Sequence, residues 1–148
     1  MGLVVVSKVV QCDQQSAYDQ WLQVVWRQGG GLPPCEVLEP GDPTTGADCL
    51  RLVSGCIRER ILETERPSKV VYTIVSGPFP IKDHRGEITF QAPTDGDDSA
   101  AGATVVQWRV QYSPTVWGID WLLHAIMQSV FNWMLSTLAK EVKKGQRK

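Results

Sequence analysis

The sequence predicts an α+β fold, in which a curved antiparallel sheet of about seven strands surrounds one long C-terminal helix. Short runs of alternating apolar and polar residues, such as residues 104–112, fill the middle of the chain. After Pro114 the apolar residues recur every three or four positions, as in an amphipathic helix. The chain has 148 residues, 43% of them hydrophobic, which is enough for one domain with one core.

The N-terminal part of the chain predicts two strands and two short helices. Residues 3–12 are rich in valine and lack helical spacing, which indicates a strand. Apolar residues at steps of three and four across residues 16–27 predict two short helices that end before the glycines at 29–31. Pro33 and Pro34 mark a loop, and residues 36–39 follow as a short strand.

Five further strands and one long helix complete the chain. The strands cover residues 49–53, 56–63, 70–75, 85–91 and 104–112. Because short turns join them, neighbouring strands are expected to pair antiparallel. The helix covers residues 117–143 and must hide its apolar stripe, so we expect it to lie across the concave face of the sheet. We interpret residues 1–148 as a single ligand-binding domain.

The charge pattern argues against two classes of partner. Lys and Arg number 15 and Asp and Glu 16, for a net charge of -1, so no basic field attracts nucleic acid or anionic membranes. We expect no nucleic-acid partner. The apolar residues 117–135 are interrupted by polar residues at steps of four, which is amphipathic spacing. We therefore expect no integral membrane insertion.

Cysteines and the N-terminus favour a cytoplasmic location without a bound metal. The four cysteines contain no CxxC pair and the chain has two histidines, so no metal site is predicted. No basic region precedes the first apolar run, unlike in a signal peptide. We expect free thiols in a reducing compartment.

Strand alternation predicts which side chains face the helix. In residues 104–112 the even positions are apolar or aromatic, whereas the odd ones include Gln107 and Arg109. The helix contributes an arc through Ile119, Leu123, Ile126, Met127, Val130, Phe131, Met134 and Leu138. The predicted lining residues are Tyr72, Ile74, His84, Ile88, Trp108, Val110 and Tyr112 from the sheet, and Leu123, Met127 and Phe131 from the helix.

Glu59 is the charged residue that this rule turns inward. It alternates with Arg58 and Arg60, so sending the arginines to solvent places Glu59 inside. A carboxylate in a dry core needs a partner. No lysine or arginine is predicted on the inner surface, so we expect a hydroxyl, a water or a ligand to hold Glu59. A structural hydrogen bond, to Tyr72 or a backbone amide, is the alternative.

The motifs of the common catalytic classes are missing. The sequence has no GxSxG, HExxH or GxxxxGK[ST] motif, and Gly29-Gly30-Gly31 follows no strand, unlike a dinucleotide site. Two histidines are few for acid–base chemistry, although Asp83 could polarise His84 at a pocket mouth. An aromatic and aliphatic interior with few polar groups is typical of a small-molecule pocket. No cofactor is predicted.

Several short segments together resemble the helix-grip superfamily, also called START-like or SRPBCC. They include Ile57-Arg58-Glu59-Arg60-Ile61, Val71-Tyr72-Thr73-Ile74, Ser76-Gly77-Pro78 and Gly86-Glu87-Ile88-Thr89-Phe90. This superfamily includes polyketide cyclases/dehydrases, birch-pollen-type allergens and plant abscisic-acid receptors. The resemblance covers nearly the whole chain. It implies a seven-stranded sheet that grips the C-terminal helix, with a hydrophobic cavity for lipids, sterols, hormones or polyketides.

The same resemblance implies roles for individual residues. In the abscisic-acid receptors a glutamate in a Glu-Arg-Leu motif contacts the ligand through water, and Glu59 looks like its counterpart. Their gate and latch loops would correspond to residues 54–56 and 77–85. The gate is shorter here, and the strand at 35–39 supplies no lysine for a ligand carboxylate, which argues against an acid of the abscisic-acid type.

We interpret the chain as a non-catalytic or weakly catalytic binder of a small hydrophobic molecule, such as a lipid or polyketide. Glu59 and Tyr72 would fix the polar end of that molecule. One alternative is an enzyme of the polyketide cyclase/aromatase type, in which Glu59, Tyr72 or His84 transfers a proton. Another is a protein-interaction module of the chaperone-activator or ribosome-associated type. The pattern is also compatible with a homodimer.

Overall fold

Seven strands form one antiparallel sheet within the described residues, 2–28, 35–92 and 102–146, of a computed structural model of the chain. In chain order they are β1 (Gly2–Val10), β2 (Cys35–Glu39), β3 (Leu50–Val53), β4 (Ile57–Glu65), β5 (Lys69–Ser76), β6 (Ile81–Gln91) and β7 (Thr104–Pro114). Their order across the curved sheet is β1-β7-β6-β5-β4-β3-β2, so β2 to β7 form a meander and β1 pairs with β7. The predicted α+β helix-grip architecture is confirmed.

The helical connection after β1 is continuous. Asp13 begins helix α1 (Gln14–Gln20), and its carboxylate accepts a hydrogen bond from the Ser16 amide at 2.9 Å. The chain then continues without a break into a π-helical segment (Trp21–Arg27), which we call the π segment. The predicted helical region after the first strand is therefore present, in two adjoining parts. The glycines at 29–31, expected to end it, lie outside the described residues.

An aromatic cluster fills the space between the π segment and the sheet. The predicted inward residues of β7, from Thr104 to Tyr112, are all buried, which confirms the alternation. Trp21 of the π segment makes T-shaped contacts with Phe90 and Trp108. Its ring centroid lies 6.2 Å from that of Phe90 and 6.1 Å from that of Trp108. This part of the interior is a packed aromatic core.

The long helix, α2 (Asp120–Gln146), lies against β1, β7 and the π segment. Its buried stripe contains the predicted Leu123, Met127, Phe131, Met134 and Leu138, together with Leu135 and Val142. Ile126 departs from the predicted arc, because it is 43% exposed at the edge of the stripe. The helix also begins three residues later than predicted, after Gly118, whose positive φ of 86° is not helical.

Three further observations bear on the expectations from sequence. Within the described residues, none of the helices combines the length and the apolar character needed to cross a bilayer. All four cysteines are free thiols. In the same part of the chain, the side chains of His, Cys, Asp and Glu form no group of three that could hold a metal ion.

Candidate functional site

A cavity of about 310 Å³ lies between α2 and the sheet, on the side of β3, β4 and β5. Its walls are mostly apolar, and its polar groups come from β3 to β6. Of the predicted lining residues, the following line this cavity: Glu59, Tyr72, Ile74, His84, Trp108, Met127 and Phe131. The structure therefore brings predicted residues from four different strands and from α2 together at one cavity.

Four predicted lining residues lie elsewhere in the interior. Ile88, Val110, Tyr112 and Leu123 are all buried, but they do not line this cavity. Tyr112 donates a hydrogen bond from its hydroxyl to Asp120 Oδ1 at 2.9 Å, near the start of α2. Their inward orientation is as predicted, and other side chains already cover them. Their contact with a ligand stays a prediction.

Arg51 overturns the expectation that no cationic side chain faces inward. It is 2% exposed and lies directly opposite Glu59 in the β3–β4 pair. Arg51 Nε and Nη2 both donate to Glu59 Oε1, at 2.8 and 2.7 Å. Arg51 Nη1 donates to the carbonyl oxygens of Val25 and Trp26, at 2.9 and 2.8 Å. The guanidinium also stacks 4.1 Å from the ring centre of Trp26.

The length of the β3–β4 turn decides which residue lies opposite Arg51. Ser54 and Gly55 both have positive φ, 54° and 73°, as the two central residues of a tight hairpin turn require. The loop has a third residue, Cys56, and this length pairs Val53 with Ile57 and therefore Arg51 with Glu59. The two-residue turn predicted from the sequence would instead pair Arg51 with Arg58, so the inward orientation of Arg51 was missed.

Glu59 lines the cavity, and one of its two carboxylate oxygens has no hydrogen-bond donor among the described residues. The residue is 9% exposed and lines the cavity wall. Both bonds from Arg51 go to Oε1. Within the described residues, no protein group donates a hydrogen bond to Oε2. Glu59 is therefore a charged group of the cavity wall, with two bonds from Arg51 to Oε1 and no donor from the described residues to Oε2.

Tyr72 is held in place by a hydrogen bond from Trp108 and by close packing against Gly86. Its hydroxyl oxygen accepts a hydrogen bond from Trp108 Nε1 at 2.9 Å, and Trp108 stacks on Phe131 with ring centroids 4.4 Å apart. Opposite Tyr72 in the sheet is Gly86, where any Cβ would overlap the tyrosine ring. Burial raises the pKa of Tyr72 far above its ordinary value, and the negative charge of Glu59 adds to this shift. Tyr72 is therefore a protonated hydroxyl.

A bulge in β6 turns His84 toward the cavity. The register between β6 and β7 shifts between Lys82 and Arg85, and Asp83 has a positive φ of 53°. His84 Nδ1 accepts a hydrogen bond from the Ile74 amide at 3.2 Å, which assigns the proton of the neutral ring to Nε2. Burial lowers the pKa of His84, and the charge of Glu59 opposes this shift. At neutral pH the imidazole is an uncharged donor at the wall.

The mouth of the cavity lies between α2 and two loops. Ser54 of the β3–β4 turn and Phe79 of the β5–β6 loop line it on the sheet side, at the positions of the gate and latch implied by the resemblance. Ile126 and Val130 line it on the helix side. Phe79 is 37% exposed and Ile126 is 43% exposed. The cavity is therefore reached across an apolar rim.

A second concavity, of about 270 Å³, is lined by Asp19, Leu22, Gln23, Arg27, Pro43, Thr44 and Arg66. Arg66 Nε and Nη2 donate to the two carboxylate oxygens of Asp19, at 3.0 and 2.8 Å. The guanidinium and the carboxylate thus form a bidentate ion pair with each other. The charge of this pair is therefore neutralised within the concavity.

The sheet, the gripped helix and the cavity between them define a helix-grip protein of the SRPBCC type. Residues 13–144 match the family described as polyketide cyclase / dehydrase and lipid transport, and the chain belongs to that family. No curated protein sequence matches the chain.

Solved structures with the same fold extend over nearly the whole chain. A protein from Nitrosospira multiformis is 17% identical, covers 99% of this chain and 100% of its own, and has a TM-score of 0.75. The protein XoxI from Bacillus cereus is 17% identical, with 99% of both chains covered and a TM-score of 0.75. Norcoclaurine synthase from Thalictrum flavum, solved with dopamine and hydroxybenzaldehyde, is 13% identical, with 97% and 87% covered and a TM-score of 0.67. At these identities the likeness concerns the fold.

Proposed function

We propose that the protein binds a small, mostly apolar molecule in the cavity between the sheet and α2. The observation that carries this proposal is an apolar space of about 310 Å³ with Glu59, Tyr72 and His84 in its wall. This volume is at the lower end of the roughly 300–1,000 Å³ range of small-molecule pockets, which favours a compact guest. The family's description, which includes both polyketide cyclases and lipid transport, supports this class of ligand.

The interaction-module alternative predicts a filled interior and an exposed apolar patch, and the cavity does not fit the first of these expectations. Here Ile74 and Val130 are only partly buried beside the cavity, whereas the same sheet is fully packed beneath the π segment. We propose that residues 1–148 act as one ligand-binding domain. Free thiols at all four cysteines are compatible with the cytoplasmic location that the sequence predicts.

A neutral fluorescent probe tests this function. N-phenyl-1-naphthylamine brightens in apolar surroundings, and we expect a saturable increase with the wild type. Val130→Trp should abolish the increase by filling the cavity, because Val130 lines it. Gln128→Trp, on the exposed face of the same helix, is the matched control and should bind like the wild type. A folded wild type without saturable binding, or two variants that both bind normally, would contradict the proposal.

Proton-transfer chemistry of the cyclase type is a second candidate. It is favoured by one arrangement: the Glu59 acceptor and the Tyr72 and His84 donors line the same apolar space. Donors of this kind can polarise a carbonyl while the carboxylate takes a neighbouring proton. Deuterium exchange of the α-protons of phenylacetone, followed by NMR, tests it. Exchange should be faster with the wild type than with His84→Asn; equal rates would reject this candidate.

A further inference from the structure

The cavity carries no net charge, because its two charged residues neutralise each other. Arg51 and Glu59 are the cation and the anion in its wall, and their closest approach is 2.7 Å. Tyr72 and His84 are the other titratable residues of the lining, and burial keeps both uncharged at neutral pH. A guest with a formal charge would therefore add an uncompensated charge to a largely apolar space.

The guanidinium of Arg51 is already committed to protein groups. Nε and Nη2 donate to Glu59, and Nη1 donates to the carbonyls of Val25 and Trp26. One flat side of the group lies on the ring of Trp26. A ligand carboxylate or phosphate would have to break these bonds to pair with Arg51. It would also lie beside the carboxylate of Glu59, which repels it.

The open hydrogen-bonding positions favour a neutral polar group. Glu59 Oε2 is an acceptor without a donor from the described residues, and His84 Nε2 is a donor without an acceptor from them. The hydroxyl hydrogen of Tyr72 is also unassigned among these residues, since its oxygen accepts from Trp108. A hydroxyl group both donates and accepts, so one such group on a ligand can serve both kinds of position.

We infer that the ligand is an uncharged molecule with an apolar body and a hydroxyl group that donates to Glu59 Oε2. This inference rests on the proposed function and adds the chemical class of the ligand. The bond is charge-assisted, because its acceptor is a carboxylate. Free fatty acids, phosphorylated lipids and amine cations are excluded by the same charge balance.

Four probes with one naphthalene body test the inference. They are 2-naphthalenemethanol, 2-methylnaphthalene, 2-naphthoic acid and 2-naphthylmethylamine, titrated by calorimetry at neutral pH. We expect the alcohol to bind at least about tenfold more tightly than the methyl compound, and the acid and the amine more weakly than the alcohol by a similar factor. An acid or an amine that binds as tightly as the alcohol would overturn the inference.

A variant of Glu59 sharpens the test. In Glu59→Gln the amide removes the negative charge and leaves Arg51 as an unpaired cation, so the order should invert and the acid should bind more tightly than the alcohol. Because this variant loses the Arg51 pair, its fold is checked by circular dichroism, and Arg58→Gln, on the exposed face of β4, serves as the matched control with the pair intact. Arg58→Gln should keep the preference for the alcohol over the acid. Retention of the wild-type order in folded Glu59→Gln, or its loss in Arg58→Gln, would overturn the inference.

The two proposals fail in different ways. If N-phenyl-1-naphthylamine binds saturably but the four naphthalene compounds do not follow the expected order, the cavity binds ligands and only the inferred chemical class is wrong. If neither the neutral probe nor any of the four compounds binds, the proposed function itself is overturned.

Discussion

The space between the sheet and α2 has a packed end and a hollow end, although the same alternating strands line both. At the packed end Tyr18 and Trp21 of the helical connection and Phe90 of β6 are all fully buried. At the hollow end Ile74 and His84 are only partly buried and line the cavity. The strand pattern is the same in both places. The difference is that α1 and the π segment cover the first end.

This comparison shows that the role of an inward residue depends on the element packed against it as well as on strand alternation. Where α1 and the π segment fill the space beneath α2, an inward side chain contributes apolar burial to the stability of the fold. Where they do not reach, an inward side chain lines the cavity and is available to a ligand. Arg51 lies at the boundary, because it binds Glu59 of the cavity wall and the backbone of the π segment. The following predictions alter the packed end, the hollow end or this boundary.

The largest effect is expected at the boundary. Arg51→Ala leaves the carboxylate of Glu59 buried without its partner and removes the donors to Val25 and Trp26, so it should lower the free energy of unfolding by about 3–5 kcal/mol. Arg58→Ala is the matched control on the exposed face of β4, with an expected change within about 0.5 kcal/mol. Urea denaturation measures both. Similar losses in the two variants would show that the buried pair contributes no more to the free energy of unfolding than an exposed arginine does.

Two truncations on α2 compare the ends directly. Leu138 is fully buried, so Leu138→Ala should cost about 2–5 kcal/mol through lost burial and a new void. Ile126 is 43% exposed at the cavity rim, and Ile126→Ala should cost less than about 1 kcal/mol. Both changes shorten an aliphatic side chain on one helix, which makes their thermal unfolding comparable. Equal costs would mean that the two ends are packed alike.

Gly86 links the sheet to the hollow end. Gly86→Ala places a methyl group into the ring of Tyr72, so we expect a loss of about 1–3 kcal/mol from overpacking. Because the displaced Tyr72 lines the cavity, binding of N-phenyl-1-naphthylamine should weaken as well. The double variant Gly86→Ala, Tyr72→Leu relieves the overlap and should recover part of the lost stability. Without that recovery, the tyrosine ring is not the cause.

The smallest effect concerns pH. Burial lowers the pKa of His84 in the folded state, so between the two values the unfolded chain binds more protons. Stability should therefore fall as the pH drops below roughly 6.5, the ordinary histidine value. In His84→Asn, whose Oδ1 can accept the same Ile74 amide, this contribution is absent. Urea midpoints from about pH 8 to about pH 5 should fall more steeply for the wild type; parallel curves would refute the assignment.

The fold could be predicted well because it depends on repeated local patterns. Alternation in β7 and the helical spacing of α2 each recur over many residues, so individual exceptions such as Ile126 did not change the outcome. The start of α2 was less predictable. It depends on the backbone of Gly118, and the apolar residues before it, including the fully solvated Trp117, resemble a helix in composition.

The site could be predicted only in part, because it depends on pairing between strands. Glu59, Tyr72 and His84 were found from alternation within single strands. Arg51 was missed because β3 is four residues long and too short for its own pattern to show a face. Which inward residues meet the cavity depends on the cover provided by the π segment and α2. That cover is a tertiary property, and Ile88, Val110, Tyr112 and Leu123 accordingly lie outside the cavity.

The bonds from Arg51 to the carbonyls of Val25 and Trp26 have an evolutionary consequence. These carbonyls lie in the last turn of the π segment, where the Gln28 amide also donates to Val25 and the Cys35 thiol to Trp26. A lineage that replaced Arg51 to suit a ligand of different charge would also lose the charged donor to this turn. We therefore expect adaptation to new ligands to occur by substitution at Ile74, Phe79 and Val130. The side chains of these residues line the cavity and are apolar, so they form no hydrogen bonds to the backbone. Homologues should diverge at those three positions while Arg51 and Glu59 change together.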